Sequence, residues 1–197
     1  MPHEPDLRDE RLDDEAPLDP AVEARRSAAL SLLRRYGDPI LRSSATPVDR
    51  FDAALRDQVA HMGATMSDAL GVGLAAPQLG LSQRVLVYRV GPDAPLVALV
   101  NPEVEWRSED DLEPLEEGCL SIPGVAVEVE RAVHVRVRAR DEHGEGRLVE
   151  ASGLEARVIQ HEVDHLDGVL ILDRATKEAR REALRALRER QAEPTAA

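Results

Sequence analysis

Gln160 to Gly168 read Q-H-E-V-D-H-L-D-G, and the interpretation of the whole chain depends on this stretch. His161 and His165 are four positions apart, so a helix places both imidazoles on one face, one turn apart, where they can share a metal ion. Glu162 can reach a water molecule beside that metal without being a ligand. The alternative is a surface helix that carries two histidines by chance. The pattern therefore predicts a metal site only together with ligands from elsewhere in the chain.

The composition indicates one acidic domain with few aromatic residues. The 197 residues suffice for a sizeable core, and the aromatic content of 2% means that aliphatic side chains must build it. The net charge of −13 argues against nucleic-acid binding by bulk charge, although a local basic patch is compatible with it. We find no apolar run long enough to span a membrane and no secretory signal. Cys119 is the only cysteine, so we expect a reducing, cytoplasmic location.

The chain divides into three predicted parts. Residues 1–27 are rich in Asp, Glu and Pro and lack apolar periodicity, which predicts a disordered acidic extension. Residues 28–173 are expected to form a catalytic metallohydrolase domain. Residues 174–197 are expected to form a charged helix and a tail.

The predicted elements indicate an α+β fold. Apolar residues at three- and four-residue steps from Phe51 to Leu70 predict an amphipathic helix that begins near Asp49 or Asp52. The expected strands cover residues 84–90, 96–100, 103–107, 125–130, 133–140, 147–150 and 169–172, with loops at 108–115 and 118–124. We therefore predict mixed antiparallel β-sheets around a central H-E-x-x-H helix, followed by a C-terminal helix.

A cysteine loop supplies what the two histidines lack. Glu117 to Ser121 read E-G-C-L-S, and the Cys119 thiolate would be a third ligand that leaves one position of a tetrahedral metal open for water. Gly118 permits close approach of the backbone. The alternative is a buried structural cysteine, which would need neither the preceding glycine nor the Ser-Ile-Pro-Gly turn that follows.

A glycine-rich loop, G-V-G-L-A-A-P-Q, spans residues 71–78 and contains no metal-ligating residue type. The loop does not match the phosphate-binding pattern G-x-x-x-x-G-K-[ST]. Its candidate reactive residue is Gln78, whose amide could stabilise an oxyanion beside a metal. The alternative is a glutamine that bonds the backbone of its own loop.

These three motifs, in this order and spacing, resemble the signature motifs of the peptide deformylase family over roughly Ala28 to Arg190. The resemblance implies a metal-dependent hydrolase that removes the N-formyl group from the N-terminal formylmethionine of newly made polypeptides and releases formate. It also implies one divalent metal ion, with Fe(II) as the ion in the cell and Zn, Ni or Co also able to occupy the site.

The resemblance further implies a role for each motif residue. The metal ligands would be Cys119, His161 and His165. Glu162 would act as general base and then as general acid, while Gln78 and the backbone N–H of Leu120 would hold the formyl oxygen.

The substrate-binding residues are predicted from the same motifs. Gly73 and Gly118 would line the peptide channel through main-chain hydrogen bonds, as the resemblance implies. An apolar pocket for the first side chain is expected from residues near His161 on the helix and from the glycine loop, namely Leu154, Val158 and Val72. Some members of the family carry an arginine near the downstream peptide backbone, seven positions after the cysteine. This chain has Ala126 there, with a consequence that the sequence leaves open.

Three other interpretations compete with a deformylase. A zinc metallopeptidase of the H-E-x-x-H type commonly takes a third ligand downstream, where this chain offers Asp167 and Asp173 but no extended histidine motif. A non-enzymatic metal-binding module would give no reason for Glu162. An inactive relative is disfavoured because every catalytic position is filled. The native metal, the oligomeric state, the role of the N-terminal extension and the preference beyond the first residue stay open.

The C-terminal helix, predicted from Arg174 to Arg190, is basic in an acidic chain. Five cations fall on one stripe of it: Arg174, Lys177, Arg181, Arg185 and Arg188. One interpretation is a solvated helix with internal ion pairs, each of which contributes little. The other, implied by some relatives, is docking on ribosomal RNA, next to the nascent formylated polypeptides that would be the substrates.

Overall fold

The computed structural model describes residues 18–91 and 93–192. It has two β-sheets, and one helix packs against both of them. A five-stranded antiparallel sheet has the order β1-β2-β3-β6-β7, and β4 pairs with β5 in a separate antiparallel ribbon. The strands are β1 (Gly73–Ala75), β2 (Val85–Tyr88), β3 (Val97–Arg107), β4 (Leu112–Cys119), β5 (Ile122–Ala132), β6 (His134–Arg140) and β7 (Gly146–Ser152). The helices are α1 (Pro20–Ser31), α2 (Ala53–Asp68), α3 (Gly153–Leu166), α4 (Ile171–Arg174) and α5 (Lys177–Ala192). The predicted α+β class is confirmed.

Helix α3, which carries the two motif histidines, packs against strands of both sheets. Its apolar side joins one core cluster with the five-stranded sheet, and α2 covers a second cluster that includes residues of β1, β2 and β3. A third cluster joins β5 to α4 and α5, where Ala183 and Leu187 are buried. The motif helix thus contacts both sheets, which limits how its polar face can be oriented.

Helix α2 confirms the periodicity argument. The Asp52 side chain accepts a hydrogen bond from the Leu55 N–H at 3.2 Å, so Asp52 is the N-cap. The residues spaced at three and four positions, including Val59, Met62 and Met66, are buried against the sheet. The methionine pair is therefore part of the core.

Strand β3 runs through Asn101-Pro102, where we predicted a break, so that prediction is wrong. Asn101 has a positive φ of 52° and lies in an irregularity of the pairing with β6. Its side chain bonds both the N–H and the carbonyl of Val48 at 2.8 Å. This tertiary anchor lets the strand bend instead of ending.

The loops predicted at 108–115 and 118–124 are also largely wrong, because most of their residues belong to β4 and β5. Glu117 is the only buried residue of β4, so the strand has no apolar alternation for a sequence pattern to reveal. The strand predicted at 169–172 is wrong as well, since that apolar run leads into the helical turn α4. A short buried apolar run does not by itself distinguish a strand from a helical turn.

Both terminal predictions need revision. Helix α1 begins at Pro20, with Asp19 as its N-cap, so the expected disorder of the extension is wrong from Pro20 to Ser27. The first 17 residues lie outside the described part of the chain. The C-terminal helix begins at Lys177, not Arg174. No helix among the described residues is long and apolar enough to cross a membrane.

Candidate metal centre and peptide pocket

Cys119, at the end of β4, meets His161 and His165 of α3. Candidate ligand atoms of the three residues all lie within 4.8 Å of one another. The Cys119 Sγ is 3.2 Å from the His165 Nε2, and the imidazole centroids are 5.1 Å apart. One thiolate and two imidazoles are donors that suit Zn²⁺ and Fe(II), so the residues present fit a divalent transition metal.

The electrostatics of the group favour the thiolate form of the cysteine. Burial alone would raise the pKa of the Cys119 thiol, but the adjacent His165 and His161 lower that pKa well below its usual value. Burial would lower the pKa of His161, whereas its hydrogen bonds to Cys119 and Glu117 raise it well above its usual value. A deprotonated sulfur is the form that binds a metal.

Glu117 of β4 orients His161 of α3 through a hydrogen bond to the imidazole. The Glu117 Oε2 is 3.0 Å from the His161 Nδ1, which leaves the Nε2 for a metal. Arg131 donates to both carboxylate oxygens at 2.7 and 2.9 Å, and Arg157 donates to the Oε1 at 2.8 Å. Burial raises the pKa of Glu117, but the bonds from Arg131 and His161 outweigh it and lower that pKa to about 2.

The ion pairs continue away from the metal ligands. Arg131 donates to the Asp164 Oδ2 at 2.7 Å, and Arg174 donates to the Asp164 Oδ1 at 2.6 Å. Glu117, Arg131, Asp164 and Arg174 together are called the back network below. This network was not predicted from the sequence, although Arg131 continues the two-residue phase in which Val125, Val127 and Val129 lie on the buried face of β5. That phase predicts a buried charge, which requires a partner.

The Glu162 carboxylate, by contrast, is buried without a full set of partners. Its side chain is 4% exposed, and its Oε2 has no hydrogen-bond partner in residues 18–91 or 93–192. Burial raises the pKa of Glu162, although the two histidines oppose the shift. Gly73 makes room for this side chain, because a Cβ there would lie 2.9 Å from the Glu162 Cδ.

The Gln78 amide is turned so that its nitrogen faces the cysteine. Its Oε1 accepts a hydrogen bond from the Ala75 N–H at 2.9 Å, so the local bond considered as an alternative is indeed present. Its Nε2 donates to the Ser121 Oγ at 3.3 Å and lies 3.8 Å from the Cys119 Sγ. The backbone bond therefore fixes which end of the amide enters the site.

The segment from Arg34 to Tyr36 connects the two loops and was not identified from the sequence. The Arg34 N–H donates to the Gln78 carbonyl at 2.7 Å, and the Tyr36 N–H donates to the Ser121 carbonyl at 2.9 Å. The Arg35 Nη1 donates to the Leu120 carbonyl at 3.2 Å. These bonds fix the positions of the Gln78 amide and of the Leu120 peptide relative to each other.

A pocket of about 410 Å³ opens beside these groups. All five predicted substrate-binding residues line it: Val72, Gly73, Gly118, Leu154 and Val158. Val158 is buried, whereas Val72 and Leu154 are 47% and 55% exposed and form the rim. Ala126 is exposed on β5 opposite Gly118 and is not among the lining residues.

Comparison with known proteins identifies the family of the chain. Residues 31–181 match the family described as Polypeptide deformylase. The chain belongs to the peptide deformylase family. The peptide deformylase of Acidothermus cellulolyticus is 47% identical over 161 residues, which cover 82% of this chain and 87% of that one. The peptide deformylase of Thermotoga neapolitana is 50% identical over 153 residues, 78% of this chain and 91% of the relative.

Solved structures of the family share the fold. The Thermus thermophilus enzyme has a TM-score of 0.75 and 45% identity, covering 80% of this chain and 93% of that one. The Synechococcus elongatus enzyme, solved in complex with actinonin, has a TM-score of 0.74 and 44% identity, covering 78% and 84%. This chain is thus a metal-dependent hydrolase of N-formylmethionyl polypeptides, and the metallopeptidase alternative is not supported.

Proposed function

We propose that Cys119, His161 and His165 hold one divalent ion, Fe(II) in the cell, and that the surrounding residues catalyse deformylation. The observation that carries this proposal is the convergence of the three ligand atoms beside the unpartnered Glu162 carboxylate. The bound metal would supply Lewis acidity that activates water and polarises the formyl carbonyl. Water is consumed, the formyl C–N bond breaks, and formate and a free amine are released.

Glu162 would accept the proton of the attacking water and pass it to the leaving amine. Burial raises the pKa of the Glu162 carboxyl toward neutral pH. A group that accepts a proton and then donates it works best when its pKa is near the working pH. No described residue hydrogen-bonds the Glu162 Oε2, so this oxygen is available to accept and donate the proton.

Gln78 and Leu120 would stabilise the negative charge that develops on the formyl oxygen. The Gln78 Nε2 faces the site, and the Leu120 N–H donates to no backbone carbonyl within the described ranges. Preorganised donors of this kind each contribute roughly 10²- to 10³-fold in rate.

The substrate's first side chain would enter between Val72, Leu154 and Val158, while Gly73 and Gly118 bind its backbone. An apolar pocket discriminates by about 1–3 kcal/mol per methylene, so formyl-Met and formyl-norleucine peptides should react alike. A formyl-Asp peptide should react poorly. Equal kcat/KM values for the formyl-Met and formyl-Asp peptides would contradict this pocket.

The metal assignment is tested by anaerobic purification, metal quantification and an assay of formate release from a formyl-Met peptide. We expect about one iron per chain, with activity that falls in air as Fe(II) or the Cys119 sulfur is oxidised. Cys119→Ser should bind metal more weakly, because a hydroxyl is a poorer soft ligand than a thiolate. Unchanged metal content and activity in that variant would exclude Cys119 as a ligand.

We also propose that α5 docks on ribosomal RNA in the cytoplasm, next to the emerging substrate. Lys177, Arg181, Arg185 and Arg188 are exposed along the helix, while Ala183 and Leu187 pack against the body. Arg174 does not belong with these cations, since its guanidinium bonds Asp164. Electrostatic docking of this kind should weaken steeply with salt.

Reversal of Arg181, Arg185 and Arg188 to Glu should abolish co-sedimentation with ribosomes at low salt. A charge-matched control reverses Arg136, Arg138 and Arg147, which are exposed on the five-stranded sheet. Hydrolysis of a short formyl peptide reports the fold of both variants. Equal loss of co-sedimentation in both would indicate bulk charge, and no loss in the α5 variant would exclude this surface.

A further inference from the structure

Helix α1 forms part of the wall of the peptide pocket. Arg26 and Leu30, which are four positions apart on one face of α1, both line the cavity of about 410 Å³. The matched family region begins only at residue 31, so both side chains lie upstream of it. Leu30 packs beside the same core cluster as Leu120. The pocket of this chain therefore has a wall that the three motifs do not provide.

The position of this wall is fixed by Arg35. The Arg35 Nη2 donates to the Leu30 carbonyl at 3.1 Å, and its Nη1 donates to the Leu120 carbonyl at 3.2 Å. One guanidinium thus joins the C-terminal turn of α1 to the loop that follows Cys119. Arg26, one turn before Leu30, is held at a defined place beside the pocket.

The Arg26 guanidinium has donors without partners at this place. Its Nε is buried and makes no hydrogen bond to any residue that the structure describes. The nearest carboxylate oxygen among the described residues, on Glu23, is 3.8 Å from the Nη1, beyond hydrogen-bonding distance, and the Arg26 side chain is 41% exposed. A partly desolvated cation is less screened by water than a fully exposed one and attracts an anion more strongly.

The other charged side chains near Arg26 differ from it. Arg157, which also lines the pocket, is bonded to Glu117 and to the Val129 carbonyl. Arg25, the neighbour of Arg26, is directed to Asp68 of α2 at 3.8 Å and does not line the pocket. Two arginines line the pocket, Arg26 and Arg157. Within residues 18–91 and 93–192, Arg157 has a carboxylate at hydrogen-bonding distance and Arg26 does not.

We propose that Arg26 is a specificity-determining residue that binds the substrate downstream of its formylated first residue and favours a carboxylate side chain there. This inference rests on the deformylase activity of the site. If the formyl group binds at the ligand triad and the first side chain binds against Val158, as proposed above, the wall that Arg26 and Leu30 provide is a part of the pocket that remains for the following residues.

The test compares formyl-Met peptides that carry Asp, Ala or Lys at the second and third positions. In the full-length protein, kcat/KM should be highest for Asp and lowest for Lys, mainly through KM. Arg26→Gln should reduce the Asp-to-Lys ratio roughly two- to fivefold, the effect of a partly exposed charge pair. Arg26→Glu should invert the order. Each ratio is measured within one variant, so it does not depend on the fraction of active enzyme.

Arg25→Gln is the matched control, because it removes the same charge from the adjacent position. It should keep the wild-type ratio, and the ratio of the wild type should fall at high salt. A wild type without charge preference, or an equal loss in both Gln variants, would overturn the role of Arg26. Absence of formate release from the Ala peptide would instead overturn the deformylase activity, and this inference with it.

Discussion

The two sides of the ligand triad differ in how their polar groups are satisfied. On one side lies the back network, in which each charged group is paired at 3.1 Å or less. On the other side, the buried Glu162 Oε2 has no partner in the part of the chain that the structure describes. Buried polar groups are ordinarily paired, and an unpaired carboxylate oxygen beside candidate metal ligands fits a group that acts on the substrate. We infer that the back network holds His161 in place through Glu117, while the opposite side meets the substrate.

The largest effect is expected on the unpaired side. Glu162→Gln keeps the shape of the side chain but removes its ability to take and return a proton. We expect kcat to fall roughly 10³-fold, within the range for general acid–base groups, with metal content unchanged. Metal quantification and formate release measure the two quantities.

Glu155→Gln is the control for this variant, since Glu155 lies on the same helix and accepts a hydrogen bond from the Tyr88 hydroxyl at 2.8 Å, away from the ligand triad. Its activity should stay close to that of the wild type. If Glu162→Gln lost its metal, or kept wild-type turnover, the proposed division between the two sides would be wrong.

The next effect concerns the paired side. Glu117→Gln leaves Arg131 and Arg157 buried without their shared carboxylate, which should lower the free energy of unfolding by about 3–5 kcal/mol. His161 also loses its charged partner, so metal affinity should fall about 10- to 100-fold. Denaturant unfolding and metal competition check these values, and an unfolding free energy equal to that of the wild type would contradict the role of the network.

The dependence of the unfolding free energy on pH tests the contribution of Glu117 separately. The folded-state pKa of Glu117 is lowered from 4.5 to about 2, so its stabilising contribution is present above pH 4.5 and is lost as the pH falls toward 2. The wild type should lose stability through this window. Glu117→Gln should lack that part of the pH dependence, and identical pH dependence in both proteins would contradict it.

A smaller effect is expected from Gly73→Ala. The added Cβ meets the Glu162 carboxylate, which must move away from the ligands. We expect kcat to fall about 10- to 100-fold, as a misplacement near 1 Å can cause, while the fold persists. Gly146→Ala is the control because a Cβ at that exposed strand position meets nothing within 4 Å. Similar losses in both variants would contradict a specific contact with Glu162.

The smallest effect lies at the outer end of the back network. Arg174→Ala removes one partner of Asp164, but Arg131 keeps its bond at 2.7 Å and the Arg174 side chain is 44% exposed. We expect a loss of about 1 kcal/mol or less in the free energy of unfolding. Arg185→Ala, at a side chain that is 81% exposed, should change it still less. A loss above about 3 kcal/mol for Arg174→Ala would mean that its pairing acts like a fully buried one.

The sequence by itself determined the features that depend on local spacing. The four-residue separation of His161 and His165 sets their common face on any helix, and the apolar period from Phe51 to Leu70 is visible without tertiary contacts. Together with Cys119 and Gln78, these patterns predicted the candidate site and the α+β class. The pattern of strand β4 was not recognised, because almost all of its residues are exposed.

Only the tertiary structure decided which groups pair and which stay free. Glu117, Arg131 and Asp164 come from β4, β5 and α3, and their buried charges are tolerated because the fold brings these three elements together. Helix α1 likewise lines the pocket because Arg35 donates hydrogen bonds both to α1 and to the loop after Cys119. Such pairings join residues far apart in the chain, so the two-residue phase of β5 indicates that Arg131 is buried but not which carboxylates pair with it.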